Sequence, residues 1–164
     1  MENDNGKRVM SNKNDVEFVE RYSVLVYKLA LARTRDLSTA DDVFQDVFYR
    51  YFKKRPSFSS IEHEKAWIIR VTINCSKSLL GSFWKNRVVP LDESLTVEQP
   101  EVQEVYDAVM QLPIKYRTVI FLHYYEGFTV SDIAKATNSK ENTVKSHLLR
   151  ARNLLKERLT DYEF

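Results

Sequence analysis

Apolar residues recur at intervals of three and four along most of this 164-residue chain, which is the spacing of one buried face on an α-helix. The pattern predicts long helices over about 15–35, 38–55 and 62–83, then shorter ones over about 102–112, 113–126, 129–137 and 140–158. Glycine and proline, which disfavour helices, number only three and four. We therefore predict an all-α fold.

Polar turns carry residues that favour helix starts. Thr129 with Asp132, and Ser38 with Asp41, have the spacing of a capping box, in which two side chains satisfy free backbone N–H groups. We also expect Ser139 to cap the helix that follows it. Two short helices joined by a tight polar turn over 129–152 are typical of a helix-turn-helix.

Composition divides the chain into two small helical domains. Residues 1–12 are polar and without periodicity, so we expect a disordered tail. Residues 87–100 include two prolines and no helical pattern, which predicts a flexible linker. The domains would then span 13–86 and 101–160, and the second would be a four-helix unit that contains the helix-turn-helix.

The last predicted helix has one apolar and one polar face. Its apolar stripe predicts burial of Val144, Leu148, Ala151 and Leu155. Its other side offers groups suited to base edges and phosphates: Asn142, Thr143, Lys145, Ser146, Leu149 and Arg150. Residues 135–158 hold seven lysines and arginines against two acids, a local charge of about +5. This pattern favours DNA binding, and the alternative is an ordinary solvated basic face.

Two further helices carry distinctive polar faces. In the third helix, Arg70, Asn74 and Lys77 share one side, and residues 65–87 contain five basic residues and no acid. Such a surface attracts single-stranded or melted DNA, although a core helix with snorkelling lysines is the alternative. In the second helix, Asp42, Gln45 and Asp46 are neighbours at i, i+3 and i+4 on the predicted exposed side. Helix capping offers an alternative explanation for Asp42 but not for the other two.

Several functional classes find no support in the sequence. The three histidines are isolated, the single Cys75 has no spaced partner, and there is no Gly-rich phosphate loop or metal-ligand cluster. We therefore predict no catalytic residues, no metal and no cofactor. The lone cysteine, the lack of an apolar run long enough for a membrane span and the charged N-terminus predict a cytoplasmic protein.

Several motifs, in order, resemble those of one protein family. Residues 40–48, ADDVFQDVF, are similar to the AEDxxQExF segment of bacterial RNA polymerase sigma factors, in particular the extracytoplasmic-function (ECF) group of the sigma-70 family. Residues 66–74, AWIIRVTIN, resemble the AWLxRIAxN segment of the same proteins. Leu112-Pro113 through Arg117, 132–134 and 143–152 resemble their C-terminal domain. The resemblance covers about residues 15–160.

This resemblance implies roles for the polar faces. It implies that 13–86 is sigma region 2 and that 101–160 is sigma region 4. Asp42, Gln45 and Asp46 would then dock on core polymerase, and the last helix would enter the upstream promoter element through Lys145, Ser146, Leu149 and Arg150. The third helix and the preceding loop would bind the start-site-proximal element and capture an unstacked base through Phe58, Ser59, Ser60, Ile61, Arg70, Asn74 and Lys77.

The implied partners are core RNA polymerase, promoter DNA and an anti-sigma factor, which is often membrane-anchored; no small-molecule substrate is implied. His147 stands where the family often has arginine, and Ser78 where it often has aspartate. Two other functions stay open. One is a helix-turn-helix regulator that acts without docking on polymerase, and the other is an antagonist that occupies polymerase without opening DNA.

Overall fold

A computed structural model describes residues 4–83 and 100–159 of the protein, with side chains over 13–82 and 102–159. Within these ranges the chain is helical and contains no strand, which confirms the all-α prediction. The helices are α1 (Asp4–Thr34), α2 (Leu37–Lys54), α3 (Ile61–Phe83), α4 (Pro100–Met110), α5 (Ile114–Ile120), α6 (Val130–Thr137) and α7 (Glu141–Arg158). A π-helical turn, Phe121–Tyr125, follows α5 directly.

The N-terminal unit is a three-helix bundle in which α1, α2 and α3 pack against one another. Its centre is an aromatic and aliphatic core, and the rings of Phe18 and Tyr51 stack with centroids 3.8 Å apart. Asp15 is buried at the edge of this core, where it accepts a hydrogen bond from the Tyr51 hydroxyl at 3.3 Å and forms an ion pair with Arg55. These contacts fasten the beginning of the packed part of α1 to the end of α2.

The first helix is longer than the sequence predicted. Its backbone is helical from Asp4, whereas we expected structure to begin near Asn14 and the preceding residues to be disordered. Once packing of α1 has formed the first turns, adding a residue costs little, so a polar segment can extend a helix without burying an apolar face. The remainder of the predicted tail, 1–3, lies outside the described residues.

Helix α2 begins earlier than the predicted capping box. Its N-cap is Asp36, whose carboxylate accepts hydrogen bonds from the Thr39 amide at 2.8 Å and the Thr39 hydroxyl at 2.5 Å. Ser38 already lies inside the helix, so the predicted Ser38–Asp41 box is wrong. The Asp36 carboxylate accepts from the amide of the third helical residue, Thr39. It therefore caps α2 in the way expected of Ser38, but two residues earlier in the chain.

The C-terminal unit contains the four predicted helices, α4, α5, α6 and α7. The predicted linker lies outside the described residues except for its last residue, Pro100. Pro100 lies in the first turn of α4 rather than in the linker, which suits a residue without an N–H group. The predicted helix over 113–126 is α5 followed by the π turn. Gly127, at φ +70°, then lets the chain leave in a left-handed conformation.

The helix-turn-helix consists of α6, a turn and α7. Thr129 and Asp132 form the predicted capping box, with both reciprocal side-chain to backbone bonds present. Asn138 takes the left-handed conformation at φ 52° and ends α6. Lys140, and not Ser139, is the N-cap of α7; the Ser139 hydroxyl instead contacts that of Thr137 at 2.5 Å. The predicted stripe of α7 is buried: Val144, Leu148, Ala151 and Leu155.

The two units contact each other directly. Helix α1 packs against α5 and the π turn, and α3 packs against α6. The guanidinium of Arg117 donates a hydrogen bond to the carbonyl of Arg33 at 2.9 Å, and Arg33 donates to the Thr118 hydroxyl at 2.6 Å. The partners in these two hydrogen bonds are 84 and 85 positions apart in the sequence, respectively.

Candidate nucleic-acid and protein interfaces

The exposed face of α7 holds the residues predicted to read the upstream promoter element. Helix α7 packs on α4, α5 and α6 through its apolar stripe, so its opposite side faces outward. The structure leaves Ser146 half-buried and the other predicted residues exposed: Asn142, Thr143, Lys145, Leu149 and Arg150. Leu149 is 54% exposed and adds an apolar group to this face. The face combines amide, hydroxyl, cationic and apolar groups, as base readout requires.

A basic corner lies where α7 crosses α5. The neighbouring Arg150, and then Lys115, lower the pKa of Tyr116, because both cations favour the phenolate. Burial, followed by repulsion from Lys115 and Arg150, lowers the pKa of His147 below its ordinary 6.5. The His147 ring packs edge-on against Tyr116 with centroids 5.5 Å apart. His147 is therefore neutral at neutral pH and adds no positive charge to this face.

Helix α3 separates its polar and apolar sides as predicted. Ile68 and Ile69 are buried in the core, whereas Arg70, Asn74 and Lys77 are exposed on the other side. Asn74 and Lys77 point to solvent within a helix that has acids only in its first turn. Arg70 also reaches the C-terminal unit, because its guanidinium donates to the Lys135 carbonyl at 2.7 Å.

The loop before α3 supplies the remaining predicted DNA-binding residues. Phe58 is half-buried and packs against other aromatic rings, with centroids 5.6 Å from Trp67 and 6.2 Å from Phe18. Ser59, Ser60 and Ile61 are exposed around it. The Ser60 hydroxyl accepts a hydrogen bond from the His63 amide at 3.1 Å and so caps α3. Phe58 thus holds the loop against the core, while the other three residues face solvent.

The predicted docking trio lies on the outer side of α2, but its members differ. Asp42 and Gln45 are exposed, whereas Asp46 is half-buried and forms an ion pair with Arg50 at 3.2 Å. Asp46 also lies beside the thiol of Cys75 on α3. Burial, with the carboxylate of Asp46 as a further cause, raises the pKa of Cys75 to about 12. Asp42 and Gln45 are therefore fully available to a partner, and Asp46 is available once it leaves Arg50.

Neither a membrane span nor a metal site is found in the part of the chain that the structure describes. No helix there combines the length and apolarity needed to cross a bilayer. No group of three or more histidine, cysteine or acidic side chains converges there either.

Two family models match the chain, and between them they cover both units. The model of sigma-70 region 2 matches residues 18–84, and that of sigma-70 region 4 matches residues 102–155. The ECF RNA polymerase sigma factor SigM of Bacillus subtilis (strain 168) is 29% identical over 157 residues, which is 85% of this chain and 91% of SigM. SigX of the same strain, another ECF sigma factor, is 26% identical over 88% of this chain and 86% of its own length.

This chain is an ECF sigma factor of the sigma-70 family. Its likeness to solved structures extends through both helical units. A sigma factor, RpoE, in complex with the anti-sigma factor NepR from Bartonella quintana matches with a TM-score of 0.80 at 23% identity, over 92% of this chain and 99% of that one. CnrH in complex with the cytosolic domain of CnrY matches with a TM-score of 0.69 at 22% identity, over 92% and 91%. At these identities the likeness concerns the fold.

The family resolves one alternative left open by the sequence. Sigma factors are transcription initiation factors that act with RNA polymerase and have no known catalytic role of their own. A helix-turn-helix regulator that never meets polymerase is not favoured, because the matches include region 2 as well as the helix-turn-helix.

The structure adds one residue of the sigma factor that sequence reasoning did not single out. Tyr49 is 62% exposed, and it lies one turn beyond Gln45 and Asp46 on the outer side of α2. The ammonium of Lys53 lies 5.8 Å from its ring centroid. The signal was available, because Tyr49 continues the i, i+3, i+4 series of the trio into the next turn. An exposed tyrosine beside the trio extends the candidate docking surface by an amphipathic side chain of the kind enriched at interfaces.

Proposed function

We propose that this sigma factor docks on core RNA polymerase through α2 and binds promoter DNA through α3 and α7. It thereby promotes strand opening at a stress- or signal-responsive set of genes. The observation that carries the proposal is common to the three helices. Each buries one face in its own unit and exposes most of the predicted polar residues on the other, with Asp46 and Ser146 half-buried. The corresponding domains are 13–86 and 101–160, with 87–99 as the linker between them and Pro100 in the first turn of α4.

The docking surface consists of Asp42, Gln45, Asp46 and the adjacent Tyr49. Carboxylates beside an amide suit a basic helix that also donates hydrogen bonds. A desolvated charge pair across an interface is worth on the order of 1.5 kcal/mol or more. The partly exposed Asp46–Arg50 pair is a small obstacle to docking, because ion pairs near the surface contribute roughly 0–1 kcal/mol.

The two promoter surfaces recognise DNA in different states. Helix α7 presents its mixed polar face to the major groove of duplex DNA, as the second helix of a helix-turn-helix does. Helix α3 carries the basic face suited to single-stranded DNA, with Arg70, Asn74 and Lys77 close to the loop 58–61. We place base capture at Ser59, Ser60 and Ile61, with Phe58 as the floor that holds the loop.

The chain itself performs no chemistry in this proposal. Polymerase forms the phosphodiester bonds, and the sigma factor selects the site at which synthesis begins. Since core polymerase and the chromosome are the partners, we place the protein in the cytoplasm. We also propose an anti-sigma partner, because one of the solved structures described above holds a sigma factor in complex with an anti-sigma factor. The other holds CnrH in complex with the cytosolic domain of CnrY. Co-purification from the cells of origin that recovers polymerase but no other partner would argue against such an inhibitor.

The docking surface can be tested by replacing Asp42, Gln45 and Asp46 together with alanine. Affinity for core polymerase should fall by at least about tenfold, because more than one charged contact of roughly 1.5 kcal/mol is removed. The melting temperature should change little, since exposed substitutions away from caps usually stay within about 0.5 kcal/mol. Fluorescence titration with purified core measures the first quantity, and run-off transcription measures initiation.

Two control variants make this experiment specific. Glu17→Ala/Glu20→Ala removes two exposed carboxylates from α1 and should leave core affinity unchanged. Arg150→Ala should weaken promoter binding by about 1–3 kcal/mol if it contacts a base, with a smaller effect on core affinity. Unaltered core binding and initiation by the triple variant would reject α2 as the docking surface. A parent protein that binds core but never initiates would instead indicate an antagonist of polymerase.

A further inference from the structure

His63, in the first turn of α3, contacts three successive residues of the loop that precedes the helix. The Ser59 amide donates a hydrogen bond to its Nδ1 at 3.2 Å, and the Ser59 hydroxyl lies 3.3 Å from the same nitrogen. The Phe58 ring lies edge-on to the imidazole, with centroids 5.5 Å apart. The Ser60 hydroxyl accepts from the backbone amide of His63 at 3.1 Å. One residue thus gathers the loop proposed to capture an unstacked base.

The contacts of His63 differ from those of an ordinary capping box. In such a box, the third helical residue returns a side-chain bond to the amide of the N-cap residue, so the pair fixes only the helix end. Here Ser60 caps α3 and His63 is the third helical residue, because α3 begins at Ile61. The imidazole reaches one residue further back, to the amide of Ser59. Its bond therefore fixes the loop outside the helix.

The bond from Ser59 also determines which ring nitrogen of His63 carries the proton. A backbone amide can only donate, so Nδ1 accepts and the proton of the neutral imidazole resides on Nε2. His63 is exposed, and its Nε2 has no hydrogen bond to any residue that the structure describes. The two ring nitrogens thus have separate surroundings, one occupied by the loop and the other open to solvent.

The loop is held at two places of different chemistry. Phe58 anchors it to the apolar core through Phe18 and Trp67. Ser59 is exposed, and the structure gives its amide a single hydrogen bond, the one to His63. The loop over 56–60 contains no charged side chain of its own. His63 is therefore the polar anchor of the part of the loop that faces solvent.

We propose that His63 is a positioning residue for base capture. Its Nδ1 holds the Ser59 amide and so keeps the loop over 58–61 in the shape that receives an unstacked base. The residue acts through Ser59 and does not itself touch the base. A loop that already has its bound shape loses less conformational entropy when DNA arrives, which strengthens binding. The inference rests on the proposed capture of a base at this loop.

Three substitutions at position 63 separate the two ring nitrogens. His63→Asn places its amide oxygen where Nδ1 lies and keeps an acceptor for Ser59. His63→Gln instead places its amide group near the position of Nε2, and His63→Ala removes both groups. The backbone amide at position 63 stays in every variant, so the Ser60 cap of α3 is kept. Ser57→Ala is the matched control, because Ser57 is an exposed residue of the same loop outside 58–61.

The first measurement is hydrogen exchange of the Ser59 amide in the full-length protein, followed by NMR. Exchange should be slow in the parent, in Ser57→Ala and in His63→Asn. It should be roughly 2- to 10-fold faster in His63→Ala and His63→Gln, because a typical intramolecular hydrogen bond contributes about that factor. Thermal melting followed by circular dichroism confirms that each variant is folded.

The second measurement uses holoenzyme and a forked DNA duplex with a single-stranded non-template tail. The duplex is selected from a randomised pool by the parent holoenzyme. An abasic scan of the tail then locates the captured base as the position at which base removal weakens binding most. Stacking of one base on a protein surface contributes roughly 5- to 100-fold in affinity, so this position should be evident.

The variants are then compared on the intact tail and on the tail that lacks the captured base. His63→Ala and His63→Gln should bind the intact tail about 2- to 10-fold more weakly than the parent, and the abasic tail equally well. His63→Asn and Ser57→Ala should match the parent on both tails. A merely structural role would weaken binding to both tails alike, and that result would overturn the inference.

Two further results would also overturn it. One is binding of the intact tail by His63→Ala as tightly as by the parent. The other is rescue by His63→Gln and not by His63→Asn, because the active group would then be Nε2 in direct contact with DNA. The parent alone decides whether the proposed function holds. If no position of its tail is sensitive to base removal, base capture is wrong and the role of His63 falls with it. If the parent captures a base and His63→Ala captures it equally well, only the inference about His63 fails.

Discussion

Arg117 and Arg150 lie on neighbouring helices of the C-terminal unit, in opposite surroundings. Arg117 is buried and its donors are occupied by four backbone carbonyls, so it contributes to structure. Arg150 is exposed beside Tyr116 and faces away from the apolar stripe of α7. Residue type alone does not separate these roles. The position of each arginine relative to the buried stripe of its helix does.

Cys75 offers a prediction at the same scale. It is fully buried, and its pKa of about 12 keeps the thiol protonated at ordinary pH. Because the thiolate is the reactive form, Cys75 should not react with a disulfide reagent at pH 8 in the native protein and should react completely in guanidinium chloride. Absorbance of the thiol released from the reagent measures the extent of reaction in the native and in the unfolded protein. Rapid labelling of the native chain would contradict the packing of α3 against α2.

The raised pKa of Cys75 also predicts how this residue affects the stability of the folded protein at alkaline pH. The pKa in the folded protein is raised above the ordinary value of 9.0. The stability that the protonated thiol supplies is therefore complete below about pH 9 and decreases as the pH rises toward 12. Cys75→Ser would be a poor control, because a buried hydroxyl adds its own cost, and Cys75→Ala is the better comparison.

Residue exposure was largely predictable from helical spacing. The outward positions of Asp42, Gln45, Asn74, Lys77 and Arg150 follow from the buried stripes of their own helices. What each side chain meets beyond its helix was not predictable. The Asp46–Arg50 pair, the aromatic packing of Phe58 and the bond from Arg70 to α6 depend on partners in three dimensions.

At the scale of helices, the interiors were predicted well and the ends less so. The start of α2 shows why. Asp36, Ser38 and Asp41 lie within six residues, and each has a side chain able to cap a helix. Sequence spacing favoured the later pair, whereas the packing of Thr39 and Ala40 against the core requires a helix that has already begun. Tertiary burial therefore selected the earlier cap.

A matched pair of variants can test whether Asp36 or Ser38 caps α2. Asp36→Ala removes the acceptor of the Thr39 amide and should lower the free energy of unfolding by about 0.5–2 kcal/mol. Ser38→Ala should change it by no more than about 0.5 kcal/mol, because Ser38 lies inside the helix and caps nothing. Urea denaturation followed by circular dichroism measures both. The reverse order of effects would restore Ser38 as the cap and contradict the observed start of α2.

At the scale of the whole molecule, the relative placement of the units lay beyond sequence reasoning. Periodicity identifies the apolar face of each helix, but the contacts of Arg33 and Arg117 use backbone carbonyls, which leave no trace in the residue pattern. Charge was more informative. A net charge of +2 conceals a basic α3 and α7 and an acidic stretch over 89–107, which contains six acids and no base. Such segregation permits strong DNA binding by a chain that is nearly neutral.

The last prediction concerns both basic surfaces acting on one promoter. Removing a cation that binds one phosphate should reduce the slope of log affinity against log salt by about 0.9 on duplex DNA and about 0.7 on single strands. Lys145→Ala should therefore reduce the slope for the holoenzyme by about 0.9, and Lys77→Ala by about 0.7. Lys28→Ala, an exposed lysine on α1, should leave it unchanged.

The double variant decides whether the two units engage DNA together. If α3 and α7 contact the same promoter in one complex, the two reductions in slope should add, because cations on separate units would each neutralise a different phosphate. Promoter affinity measured by filter binding over a range of salt concentrations gives all the slopes. A double variant with the slope of either single variant would mean that only one basic surface contacts DNA in the bound state. In that case the nearly neutral chain would bind through one unit while the other served a different partner.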